Sequence, residues 1–190
     1  MKKTSTTLRY TVVETPVGRL LVAATSRGVV RIDLRGHEAP FVRDLERQHG
    51  MTAERDDRGL AAVRRVLLDY LEGRSAELEL EADLTRLPEF HRQVLEALRR
   101  VPRGTVVSYG DLARRVGKPG AARAVGQAMG RNPLPILYPC HRVVAHDGSL
   151  GGFGGGLPMK RALLELEGAL LPLTTRTTPR RPRPPKPAQR

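Results

Sequence analysis

The chain holds a single cysteine among its 190 residues. It lies in the run Leu137-Tyr138-Pro139-Cys140-His141-Arg142-Val143-Val144. A lone free cysteine reads most simply as a small buried hydrophobe. Its neighbours here point instead to reactivity. The thiolate is the nucleophilic form, and basic groups beside a thiol favour it; His141 and Arg142 follow Cys140 directly. His141 is placed to take the thiol proton, directly or through water. Such a base needs an orienting partner. Glu167, which follows the amphipathic run Met159, Leu163, Leu166, is the candidate, and a solvated glutamate is the plain alternative. Residues 148–156 read GSLGGFGGG. They miss the glycine spacing of a phosphate loop and lack the Lys-Ser/Thr that should follow. A flexible loop whose backbone amides approach a flat ligand is the better reading.

One cysteine excludes an internal disulfide and a cysteine-rich zinc site, and it fits a reducing compartment. The formal charge is +13, carried mostly by arginine, which suggests an anionic partner such as nucleic acid. Six basic residues (Arg176, Arg180, Arg181, Arg183, Lys186, Arg190) lie in the final stretch, and without them +7 remains. The first residues lack an apolar run long enough for a signal peptide, and nothing approaches a membrane span. The expectation is a cytoplasmic protein with access to DNA and no membrane partner. Tryptophan is absent and aromatics make up 4%, so Leu, Val, Ala and Ile must build the core.

The elements that position these residues follow from periodicity. Residues 8–34 read as a small antiparallel meander with turns at Pro16-Val17-Gly18 and Ser26-Arg27-Gly28. Helices are expected over 38–49 and 59–72, and a short strand over 77–86. The texture changes near Pro88, giving domains at 1–86 and 87–171. A Pro- and Arg-rich tail, 172–190, should be disordered. Phe90, Val94, Leu95, Leu98 and Val101 recur at helical spacing until Pro102. Ser108 with Asp111 three residues on is a capping-box pattern, and Gly117 with Pro119 ends that helix. A second helix runs from Ala121 to Gly130. Two short helices around a Gly/Pro turn have the form of a helix-turn-helix. Its second helix is small-sided, which suits close approach to a groove or packing against another helix equally well.

Residues 90–167 resemble the C-terminal domain of the O6-alkylguanine-DNA alkyltransferases, the methylated-DNA–protein-cysteine methyltransferase family. The segments that carry the likeness are FHRQVLEALRRVPRGTVVSYGDLA, AARAVGQAM, NPLPILYPCHRVV and GGGLPMKRALLELEG. ETPVGRLLVAAT resembles the family's N-terminal domain. The resemblance implies an α+β fold: a small RNase H-like N-terminal domain, then a helical domain with a winged helix-turn-helix-like module. It implies direct repair of double-stranded DNA bearing O6-alkylguanine by a monomer, with no cofactor and no metal, and leaves O4 of thymine open as a second substrate. The alkyl group would pass once and irreversibly to Cys140. His141 would deprotonate Cys140 through a bound water, Glu167 would orient His141, and Asn132 would brace the turn before the nucleophile. Tyr109 would stand beside the flipped nucleotide and assist the leaving base. Arg123 would enter the duplex as a finger, Ala121 and Ala122 would line the minor groove, and Ser108 would lie in the DNA-binding surface. The carbonyls of Cys140 and Val143, with Phe153 and the Gly154 amide, would hold the base.

Three positions depart from the family pattern. Phe153 stands where tyrosine is frequent, Gly154 where serine is frequent, and Leu95 where tryptophan is common. The main competing readings are a lesion binder without chemistry, a helix-turn-helix regulator and a cysteine hydrolase. Cys140 argues against the first. His141, Glu167 and the glycine loop are unexplained by the second, and the third requires an acyl substrate and repeated turnover.

Overall fold

Alternating apolar residues in the first third of the chain form three antiparallel strands: β1 (Leu8–Thr15), β2 (Gly18–Thr25) and β3 (Gly28–Asp33). The computed structural model describes residues 8–169. A fourth strand, β4 (Ala53–Arg55), adds parallel to β1, so the order is β3-β2-β1-β4. The period of two separates the sheet faces. Leu8, Tyr10, Leu21 and Ala23 pack with Phe41 and Leu45 of α1 (Glu38–His49). Val13, Leu20, Val22 and Ile32 point the other way, into a core shared with α2 (Ala61–Leu71) and with the helices beyond Pro88.

The strand expected over 77–86 does not form. This segment makes one parallel bridge, Val29 to Ala82, flanked by Val29 N–H donating to the Glu81 carbonyl (2.8 Å) and Asp83 N–H donating to the Val29 carbonyl (2.9 Å). Gly28 permits this approach: a Cβ there would lie 2.6 Å from the Glu81 carbonyl oxygen. The expected tail, 172–190, lies outside the described residues.

The second half is built from α3 (Glu89–Arg99), β5 (Val107–Ser108), α4 (Tyr109–Arg115), α5 (Ala122–Gly130), β6 (Val143–Val144) and α6 (Gly156–Leu166). Ser108 caps α4 through a complete capping box: its hydroxyl accepts from the Asp111 N–H, and Asp111 accepts from the Ser108 N–H. β5 pairs in parallel with β6 through Val107–Val143 and Ser108–Val144. This two-residue ladder ties the first residue of the helix-turn-helix to the strand that follows the nucleophile.

Candidate active site

Pro139 sets up the nucleophile. A proline ring holds φ near −65°. Pro139 has φ −77° and ψ 67°, the values of an inverse γ-turn. The Cys140 N–H accordingly donates to the Tyr138 carbonyl at 2.7 Å, and the chain enters a 3₁₀ turn over Cys140–Arg142. The approach to this turn is strained. Ile136 is β-branched, buried, and has φ +74°, a conformation such residues rarely adopt. Asn132 braces it: its side-chain amide donates to the Tyr138 carbonyl (2.8 Å) and its oxygen accepts from Leu134 N–H (2.9 Å).

Behind Cys140 lies a buried polar cluster. His141 Nε2 is 2.6 Å from Glu167 Oε1, and both side chains are fully buried. An ionised carboxylate only accepts, so Nε2 carries the hydrogen and Nδ1 the lone pair. Nδ1 has no hydrogen-bond partner among the described residues. Glu167 also accepts from Arg142 Nε (2.8 Å) and Nη2 (3.0 Å) and from the Tyr70 hydroxyl (2.5 Å). Burial alone would raise the Glu167 pKa; the hydrogen bonds from His141, Arg142 and Tyr70 outweigh it and hold the carboxyl at about 2. Burial lowers the His141 pKa more than Glu167 raises it, so the resting imidazole is neutral.

Two expectations are corrected here. The adjacency of Arg142 to Cys140 suggested a cation favouring the thiolate. Arg142 is instead turned inward and consumed by Glu167, the Tyr70 hydroxyl and the Val101 carbonyl. The thiol itself is pushed up by burial, with a hydrogen bond from Asn132 and the charge of Lys160 pulling the other way. The resting nucleophile is therefore a thiol beside a neutral base. Ionisation belongs to the moment of reaction.

Cys140 lies in a cleft of about 690 Å³. Tyr109, Asn132, Phe153 and Gly154 share its lining, and Ile32, Asp33, Arg35 and His37 supply the opposite wall from the end of β3 and the turn into α1. The Phe153 ring meets the His141 ring edge-on, with centroids 6.3 Å apart. Tyr109 is half-buried, and burial, then Cys140, raises its hydroxyl pKa. A Cβ at Gly151 would lie 3.4 Å from the Tyr109 hydroxyl, so the glycine loop can lie against that ring. A Cβ at Gly154 would meet nothing within 4 Å, so its backbone stands open. Val143 is buried, and its carbonyl accepts from Lys160 Nζ at 2.6 Å. On α5, Ala121 and Ala122 are half-buried at the start, and Arg123 is exposed with no ion pair among the described residues.

Sequence reasoning missed Tyr70, Lys160 and the β3–α1 wall. Tyr70 falls within the helix expected over 59–72 and Lys160 within the segment GGGLPMKRALLELEG, and sequence reading assigned neither a role. Neither carries a local signal, because their partners lie 97 and 17 residues away.

A buried His–Glu pair behind a cleft cysteine, joined to a helix-turn-helix, defines a class: a nucleophilic-cysteine protein with a nucleic-acid-binding module. Known proteins narrow the class. The ribonuclease-like domain of 6-O-methylguanine DNA methyltransferase matches residues 8–84, and the DNA binding domain of the same family matches residues 89–169. The Mycobacterium tuberculosis methylated-DNA–protein-cysteine methyltransferase is 39% identical over 165 residues, covering 87% of this chain and 95% of that protein. Its Haemophilus influenzae counterpart is 36% identical over 165 residues, covering 85% and 87%. Among solved structures, Mycobacterium tuberculosis OGT in complex with DNA aligns with a TM-score of 0.73 at 37% identity, covering 84% of this chain and 92% of that one. The O6-methylguanine-DNA methyltransferase of Pyrococcus kodakaraensis aligns with a TM-score of 0.62 at 34% identity, covering 84% and 99%. The chain belongs to the 6-O-methylguanine DNA methyltransferase family.

Proposed function

We propose that this chain reverses alkylation damage in DNA by moving the alkyl group from O6 of guanine to Cys140, once per molecule. The observation that carries the reading is the cleft cysteine backed by the His141–Glu167 pair, in a chain so similar to methylated-DNA–protein-cysteine methyltransferases. O6 of a paired guanine is inside the stack, so the nucleotide must be extruded, at a cost of a few kcal/mol. Arg123, exposed on α5, fills the gap and offsets part of that cost. Ala121, Ala122 and Ser108 face the minor groove. The extruded base enters the cleft between Tyr109 and Phe153, and the Cys140 and Val143 carbonyls and the Gly154 amide receive its edge.

In the transfer step, Cys140 Sγ attacks the alkyl carbon in line. A C–S bond forms and the C–O6 bond breaks, with its electron pair going to the purine. The thiol proton goes to His141 Nδ1, and Glu167 stabilises the imidazolium that results. The departing guanine takes a proton through the Tyr109 hydroxyl, and His141 returns its own to solvent. The thioether has no good leaving group, and there is no second cysteine to accept the alkyl group from it. The protein works as a cytoplasmic monomer with access to DNA.

The test is intact-mass analysis after incubation with duplex DNA containing O6-methylguanine. One methylene should be gained per chain, in the peptide bearing Cys140, and Cys140→Ala should bind DNA but transfer nothing. Repair of several lesions per molecule, or methylation at another residue, refutes the reading.

A further inference from the structure

The cleft that holds Cys140 has a second wall, and the roles above leave it unused. It is built by the end of β3 and the turn into α1, and it is tied to the supports of the nucleophile. Ile32 N–H donates to the Pro133 carbonyl at 2.8 Å, beside Asn132, whose amide holds the Tyr138 carbonyl. Leu34 abuts the glycine loop: a Cβ at Gly155 would lie 3.1 Å from Leu34 Cδ1 and 3.2 Å from Phe153 Cε1. The turn that follows is closely held. Asp33 Oδ1 accepts from the Arg35 N–H (2.9 Å) and the Gly36 N–H (3.1 Å). Gly36 has φ +70°, and a Cβ there would lie 2.9 Å from the Arg19 carbonyl oxygen. Two cations line this wall, Arg31 and Arg35. Neither forms an ion pair among the described residues; Arg31 Nη1 donates to the Gln48 side-chain oxygen at 3.4 Å. The carboxylates nearby are engaged: Asp33 in its own turn, and Asp44 with Arg47 at 2.6 Å.

In an in-line displacement, sulfur and O6 stand on opposite sides of the alkyl carbon. Any substituent on that carbon must therefore project sideways from the S–C–O6 axis. A methyl group needs no room there, and a longer group does. The cleft has that room: about 690 Å³ takes a drug-sized ligand, and a Cβ at Gly130, in its lining, would meet nothing within 4 Å. A substituent that leaves the axis towards the β3–α1 side meets guanidinium groups, whose forked N–H donors match a carboxylate. We propose that Arg31 and Arg35 make this wall a specificity determinant of the transfer: they select O6-alkyl groups that carry an anionic end, such as carboxymethyl, over neutral groups of the same size. This rests on the proposed transfer to Cys140. The step balances as it does for methyl. The C–S bond forms at the methylene, the C–O6 bond breaks with its electron pair going to the purine, and the carboxylate passes unchanged. Cys140 ends as its S-carboxymethyl thioether.

The experiment uses the full chain, Arg31→Gln, Arg35→Gln, the double glutamine variant and Arg35→Glu. Single-turnover transfer is measured from duplexes carrying O6-carboxymethylguanine and O6-carbamoylmethylguanine, which match in size and differ in charge. Affinity for the unmodified duplex is measured beside it. In a second arm, without DNA, Cys140 is alkylated by iodoacetate and by iodoacetamide, which deliver the same two groups with iodide leaving. This arm needs no lesion. It therefore tests the wall even if transfer from DNA, and with it the proposed function, fails. The carboxymethyl-to-carbamoylmethyl rate ratio should fall in both reactions, by about threefold in each single glutamine variant and about tenfold in the double variant, and the effect should shrink as salt rises. Arg35→Glu should lower the ratio further than Arg35→Gln. A ratio that the double variant leaves unchanged, in either reaction, overturns the proposal. So does a loss of affinity for the unmodified duplex that lowers both transfer rates in step, which makes the two arginines phosphate contacts instead.

Discussion

Replacing Glu167 by glutamine keeps the shape of the buried cluster and removes its only negative charge. The carboxyl lies at about 2 in the folded chain against an ordinary 4.5. At 1.36 kcal/mol per pH unit this is about 3 kcal/mol of preference for the ionised form. The side chain is fully buried, so solvent screening does not reduce that figure. A second route gives the same size: stripping one partner from a buried ion pair costs roughly 3–5 kcal/mol, and Arg142 is the partner left behind. For a chain of this length, that lowers Tm by roughly 6–20 °C. The pH dependence separates this cause from general damage. A depressed carboxyl contributes stability in full above 4.5 and loses it as pH falls through about 2. The Tm gap between wild type and Glu167→Gln should therefore be wide at neutral pH and close across that acid window. Below both melting temperatures, single-turnover transfer should also slow by roughly 10²–10⁴-fold, since the imidazolium formed at His141 loses its counterion. A Glu167→Gln protein that melts with wild type at neutral pH, or a gap that stays constant down to pH about 2, refutes the account.

Tyr70→Phe removes one of the hydrogen bonds to Glu167 and leaves the His141–Glu167 bond in place; it should cost about 1–3 kcal/mol in thermal or urea melts and slow transfer less than Glu167→Gln does, and the reverse order would show that Tyr70 takes part directly. Arg123→Ala should slow repair in duplex DNA more than repair of the free modified base, because a free base needs no extrusion; equal losses on both substrates contradict the finger role. Truncation after residue 171 removes six basic side chains and should flatten the salt dependence of DNA binding, by about 0.9 in the log–log slope for each phosphate the tail neutralises, with transfer unaffected; an unchanged slope assigns the tail no part in binding.

The features legible in the sequence are those encoded by neighbours a few residues apart. The meander over β1–β3 follows from alternation and its turn glycines. The start of α4 follows from Ser108 and Asp111, whose reciprocal bonds span one helical turn. The prominence of Cys140 follows from its flanking Pro139 and His141. Where local pattern was a poor guide, a distant partner decided. β4 is three residues long and exists because β1 offers it an edge. Residues 77–86 alternate like a strand but, among the described residues, meet the sheet's backbone through hydrogen bonds at Val29 alone. Arg142 is beside the nucleophile in sequence and bonded to Glu167 in space, since a buried guanidinium must go where a carboxylate can meet it. Lys160, on a helix well downstream, is buried where its ammonium meets the Val143 and Leu150 carbonyls. The state of the thiol was beyond the sequence altogether. Residue types named a base and a nucleophile, but burial, which depends on everything packed around them, keeps that base neutral and that nucleophile protonated at rest.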